Sequence, residues 1–128
     1  MIYVDSSIAL ARLLSKARSP PERVWSGQLV SSRLLEYEVW NRIHAYRLTE
    51  THGGDVRKLL GLVDMLELTR PVLARALAPF PVAVRTLDGL HLATAEYLYR
   101  QDSSLAVGSY DEDLKAAATA LGIPLAEV

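Results

Sequence analysis

The chain has 128 residues, half of them hydrophobic, with 14 Lys plus Arg against 15 Asp plus Glu and no cysteine. That length suffices for one domain, residues 1–128, whose core needs neither disulfides nor a structural metal; the missing thiols exclude a thiolate metal site and fit the reducing cytoplasm. No apolar run approaches the roughly 18 residues of a membrane span, no secretory leader pattern precedes the first strand, and a net charge of −1 excludes phosphate neutralisation by a broadly basic surface.

Ile2, Tyr3 and Val4 read as a buried strand over 1–5 that runs straight into Asp5, and Ile8, Leu10, Ala11, Leu13 and Leu14 then recur at helical spacing over 7–16. Pro21 opens a short helix, QLVSS (28–32) is a strand, and RLLEYEVWNRIHAYRL (33–48) is a long helix striped by Leu35, Val39, Ile43 and Tyr46. A further helix covers THGGDVRKLLGLVDML (51–66), its start softened by Gly53 and Gly54, and MLELT (65–69) reads as a strand. Pro71 opens a short helix that Pro79 and Pro81 close, and LDGLHLATAEYLYR (87–100) is a helix with small Ala93 and Ala95 for close packing. SLAVGS (104–109) is a strand, DEDLKAAATALG (111–122) a helix stopped by Gly122, and PLAEV (124–128) a last short strand. Strands alternating with helices predict an α/β fold, a three-layer α/β/α sandwich around a mostly parallel sheet. Ligands of such sheets sit beyond the carboxyl ends of the strands, near the topological switch point, and Asp5 and the Ser109–Asp111 turn fall at such ends.

A carboxylate ending a buried strand is costly unless something pairs with it, which singles out Asp5. Its structural alternative is the N-cap of the next helix, a role Ser6 or Ser7 would fill equally well. Asp88 falls in the first turn of its helix, where the macrodipole favours negative charge, with Thr86 in a capping position; Ser109 with Glu112 has the form of a capping box beside Asp111. Glu36 and Glu38 lie about 200° apart around their helix, so only one of them faces any given site, and periodicity does not choose between them. The fold puts these acids on one rim. Clustered carboxylates without basic partners tolerate one another best around a shared cation, and oxygen-only donors favour Mg²⁺ or Mn²⁺ over zinc.

YVDSSIALARL, LVSSRLLEYEVWNRI, TLDGLHLATA and VGSYDEDLKAAATALGIPL resemble, in order and spacing, the four motifs of the PIN-domain ribonucleases, in particular the VapC-type toxins of type II toxin–antitoxin systems. The resemblance spans nearly the whole chain. It implies an endoribonuclease dependent on one or two Mg²⁺ or Mn²⁺ ions held by Asp5, Glu38, Asp88 and Asp111, and it selects Glu38 over Glu36. Ser6 and Ser109 match hydroxyl positions that assist the metal or its waters, and His91 is a packing or supporting residue rather than a ligand. An RNA substrate, a cognate antitoxin protein and a homodimer follow from the same resemblance.

Setting those four acids aside leaves 11 acidic residues against 14 basic ones, and 11 of the 14 are arginine, whose planar fork suits phosphate. Arg12, Arg33, Arg42 and Arg85 lie near the motifs, while Trp25, Trp40 and Tyr46 are assigned to core or contact before base stacking. Helix 35–46 and DVRKLLGLVDML offer surfaces for a partner, with core burial as the default. The alternatives are a housekeeping RNA-processing nuclease, a non-catalytic binding module and a receiver-like phosphoacceptor. The last wants two adjacent acids after the first strand, where VDSS has one, and a lysine after the fifth strand, whereas Lys115 lies within a helix.

Overall fold

Strand β1 (Ile2–Val4) sends successive side chains to opposite faces, and each face has its own core. Val4 packs with Ile8, Leu35, Val39, Ile43 and Val56, whereas Tyr3 packs with Leu92, Ala95, Leu105 and Leu114. The computed structural model describes residues Met1–Val128. After β1 come α1 (Ser6–Leu13), α2 (Glu22–Trp25), β2 (Leu29–Ser32), α3 (Leu34–Ala45), α4 (Thr49–Leu60), β3 (Val63–Leu66), α5 (Arg70–Leu77), α6 (Thr86–Gln101), β4 (Ala106–Gly108) and α7 (Glu112–Ala120). The strands pair in the order β3-β2-β1-β4, all parallel, with Ile2 opposite Leu29 on one side and Ala106 on the other. Helices α1 to α4 cover one face and α6 with α7 the other, the three-layer α/β/α sandwich that the alternation predicts. No helix is long and apolar enough to cross a membrane.

The chain leaves β1 toward β2 first and reaches β4, on the other side, only near its end, so the switch point lies between the carboxyl ends of β1 and β4. Gly108, the last residue of β4, lets the chain pass between Ile2 and Val128, where a Cβ would meet their methyl carbons at 3.0 and 3.1 Å.

Boundaries differ from the sequence reading in instructive places. The helix expected over 51–66 runs instead over Thr49–Leu60 and is capped at Gly61, and β3 begins at Val63, because residues 63–66 pair with Leu29–Ser32. The apolar residues Leu62, Val63, Met65 and Leu66 continue a helical spacing, and tertiary pairing overrides it. The strand expected over 124–128 reduces to a bridge between Leu125 and Val107. Gly122 does end α7, with φ +78° in the left-handed region. The contact surfaces suggested on α3 and α4 are core: Leu35, Val39, Ile43, Val56, Leu59 and Leu60 are buried.

Candidate active site

Asp5 follows β1 directly and is only 5% exposed. It is the N-cap of α1, its Oδ1 accepting from the backbone N–H groups of Ser7 at 3.1 Å and Ile8 at 3.3 Å. The Ser7 hydroxyl donates to the same oxygen at 2.6 Å, and the Ser109 hydroxyl, arriving at the end of β4, donates to Oδ2 at 2.6 Å. Both oxygens are therefore held, but by neutral donors, and no cationic side chain reaches them. Burial pushes the Asp5 carboxyl above its ordinary value, against the pull of the Ser109 and Ser7 hydrogen bonds.

Asp111 caps α7, accepting on Oδ1 from Asp113 N–H at 2.9 Å and Leu114 N–H at 3.2 Å. The capping box expected of Ser109 and Glu112 does not form. Asp111 sits nearer the helix start and takes the cap, which leaves the Ser109 hydroxyl to bridge Asp111 N–H to Asp5. Asp88 lies in the first turn of α6, as expected, but the N-cap position is Arg85 rather than Thr86 and carries no side-chain cap. Its carboxyl is raised too, by burial first and then by the negative charge of Asp111; Arg85, whose Nε stands 4.0 Å away, opposes the shift. Asp5, Asp88 and Asp111 thus stand at the starts of α1, α6 and α7, where three helix dipoles present their positive ends. This is how the chain gathers carboxylates without pairing each to a cation.

Glu38 reaches toward this place from α3. Its Oε1 lies 2.5 Å from Nε2 of His91 on α6, so the contact joins the two helical layers. Glu36 turns away and pairs with Arg33 at 3.5 Å. Asp5, Glu38, Asp88 and Asp111, with Ser6, Ser7 and His91, line one hollow of about 780 Å³. Carboxylate and hydroxyl oxygens of this kind suit a hard divalent cation such as Mg²⁺ or Mn²⁺. No three Asp, Glu or His side chains stand close enough to enclose one ion. Mg²⁺ does not require such a cage, since the ion keeps several waters and is commonly bound through one or two carboxylates plus substrate phosphate.

The walls are basic and partly apolar. Lys16 and Arg42 line one side beside Tyr46, with neither cation held by a carboxylate, and Arg85 lines the other. Arg42 lies over the Tyr46 ring, 5.9 Å from its centroid, and Tyr46 is 54% exposed, so of its two assignments, core or contact, the core is ruled out. Trp25 and Trp40 do pack against the core. Of the other arginines near the motifs, Arg12 is paired with Glu22 and Arg33 with Glu67 and Glu36, outside the hollow.

A PIN domain family model matches residues 2–120. The chain belongs to the PIN domain family. Among curated relatives, this PIN domain is 28% identical over 128 residues to "Ribonuclease VapC47" of Mycobacterium tuberculosis (strain CDC 1551 / Oshkosh), covering 95% of this chain and 93% of that protein. It is 31% identical over 125 residues to "Ribonuclease VapC46" of Mycobacterium tuberculosis (strain ATCC 25618 / H37Rv), again covering 95% and 93%.

Two residues of the PIN domain's site escaped the sequence reading. Ser7, not Ser6, donates to Asp5; Ser6 lines the hollow without a hydrogen bond to any of the acids. The signal for Ser7 was present, since an N-cap carboxylate reaches the N–H two residues on and so brings that residue's hydroxyl within range. Tyr3 bonds His91 Nδ1 at 2.6 Å, a contact across 88 residues that no local pattern encodes.

Proposed function

We propose that the chain is a Mg²⁺- or Mn²⁺-dependent endoribonuclease that hydrolyses RNA phosphodiester bonds as the toxin of a toxin–antitoxin pair. The observation that carries this reading is the hollow itself: carboxylates from four separate parts of the chain face it, and Asp5 and Asp111 have no cationic partner. The relatives named as ribonucleases support the substrate class.

Asp5, Glu38, Asp88 and Asp111 would hold one or two ions. An ion held there would supply Lewis acidity, lowering the pKa of a water and offsetting charge on the phosphate and the leaving oxygen. The chain's own contributions are positional and electrostatic. Ser7, Ser109 and the start of α1 fix both oxygens of Asp5, so its geometry needs no reorganisation when a ligand arrives. Lys16, Arg42 and Arg85 ring the acidic floor and give a polyanion a reason to approach it. The same reading includes a cognate antitoxin protein and a homodimer, and the outward Leu77, 89% exposed and lining one hollow with Leu73, Phe80 and Val84, supports a partner on the α5–α6 side.

The test is cleavage of a single-stranded RNA with and without Mn²⁺, in the wild type and in Asp5→Asn and Asp88→Asn. Each variant keeps its circular dichroism spectrum and loses both Mn²⁺ binding and cleavage, by more than the 10- to 100-fold that loss of an outer-shell partner typically causes. Cleavage surviving in both overturns the site. Growth arrest on expression without a partner separates a toxin from a housekeeping RNA-processing enzyme.

A further inference from the structure

Tyr3 and His91, to which the reaction gives no direct part, form a buried polar chain that ends on Glu38. Tyr3 is 1% and His91 2% exposed, and the rings meet edge-on at 82°. The Tyr3 hydroxyl lies 2.6 Å from Nδ1 of His91, and Nε2 of His91 lies 2.5 Å from Oε1 of Glu38. Phe and Leu would fill this space with no polar atoms to satisfy, and buried polar groups are costly when unpaired. What the chain gains is at its open end, in the hollow.

The proton positions follow from the partners. An ionised Glu38 only accepts, so Nε2 must carry a hydrogen; in a neutral ring Nδ1 is then an acceptor and needs a donor. Tyr3 is that donor, because its hydroxyl is the group that lies against Nδ1 and a phenol ordinarily carries its proton at neutral pH. Fixing a long Glu side chain costs rotamer entropy, and a contact made before any ligand arrives removes that cost from the binding step. His91 also lies one turn after Asp88 on α6, so the contact ties Glu38 on α3 to the helix bearing another acid of the hollow.

We propose that Tyr3 and His91 are positioning residues: the Tyr3 hydroxyl fixes His91 as its Nε2–H tautomer, and that N–H holds Oε1 of Glu38, leaving Oε2 free for a divalent cation. The inference rests on the reading of Glu38 as a metal ligand.

The experiment measures Mn²⁺ affinity of the full chain, without RNA, by electron paramagnetic resonance in the wild type, Glu38→Gln, Tyr3→Phe, His91→Gln and His91→Leu, with urea melts to register folding. Glu38→Gln weakens binding most. Tyr3→Phe and His91→Leu weaken it about 10- to 100-fold, and His91→Gln, which keeps an N–H donor near the reach of Nε2, recovers part of the loss. A merely structural role would track the urea melts and give no such recovery. If Glu38→Gln loses Mn²⁺ while Tyr3→Phe and His91→Leu bind as the wild type does, positioning is overturned and the metal reading stands. If Glu38→Gln also binds normally, both fall. Should His91→Leu fail to fold, Tyr3→Phe decides, together with the ¹⁵N spectrum of the wild-type ring, in which any state other than the Nε2–H tautomer overturns the proposal.

Discussion

Asp5 and Glu96 are shielded from solvent almost equally, 5% and 8% exposed, yet their surroundings are opposite. Oε1 of Glu96 lies 2.8 Å from Arg75 Nε and 3.3 Å from Arg100 Nη2. Arg75 also donates to the carbonyls of Ala78 and Pro79 and lies over the Phe80 ring, so the cluster clamps α5 and the segment after it onto α6. Asp5 has hydroxyl and amide donors only. Neutral donors hold a carboxylate in place without cancelling its charge. The charge of Glu96 is met by two guanidinium groups of the chain, whereas Asp5 keeps a negative charge to offer to something the chain does not supply.

Metal-linked stability separates Asp5 from Glu96 by the largest margin. Mn²⁺ at 100 times its Kd adds about 2.7 kcal/mol to unfolding of a protein that binds it only when folded. The wild type and Glu96→Gln show that gain in urea melts, and Asp5→Asn shows none; an equal gain in Asp5→Asn removes Asp5 from the site. Next in size, Glu96→Ala costs about 2 kcal/mol, because it leaves the partly buried Arg75 short of its carboxylate. Mn²⁺ affinity is unchanged in that variant. A loss of Mn²⁺ binding there would mean that the α5–α6 clamp and the hollow are not separate devices.

The pH dependence has opposite consequences for folding and for binding. Burial raises the Asp5 carboxyl above its ordinary 3.8, so the folded state favours the protonated form. That favourable contribution is full below pH 3.8 and is lost as pH rises through the higher folded value. Without metal, Asp5→Asn is therefore expected to be the more stable protein at neutral pH, and the gap to the wild type closes on acidification. A gap that widens in acid reverses the sign and shows that the hydrogen bonds outweigh burial. Mn²⁺ binding runs the other way, since ligands must lose their protons, and it fades at a higher pH than an unshifted carboxylate would require.

The alternation of strands and helices was legible along the chain because β1, β2 and β4 are short, apolar and followed by clear helix starts. Asp5 was legible for the same reason, being the acid at the end of a buried strand. The choice between Glu36 and Glu38 was not available to periodicity, since the neighbour that draws Glu38 inward, His91, lies 53 residues on, while Glu36 pairs locally with Arg33. Ser109 was misread as a cap for a related reason. The local S-x-x-E pattern is real, but a carboxylate 104 residues earlier competes for the hydroxyl. Local rules failed where long-range polar contacts build the hollow.

The smallest expected effect separates two arginines that sequence alone ranks equally. Arg42 lines the hollow and lies over Tyr46 with no carboxylate partner, whereas Arg33 is shared between Glu36 and Glu67 outside it. A cation already paired releases little on meeting phosphate, while a free one displaces a condensed counterion from the strand. Removing one such contact lowers the slope of log affinity against log salt by about 0.7 for a single strand, which is roughly a 2- to 3-fold change in relative affinity between 50 and 200 mM. Binding of a fluorescent single-stranded RNA in EDTA, where no metal supports cleavage, measures it directly. Arg42→Ala flattens the slope and Arg33→Ala leaves it unchanged; equal slopes in both would put the path of the RNA elsewhere than over the wall formed by Lys16, Arg42 and Tyr46.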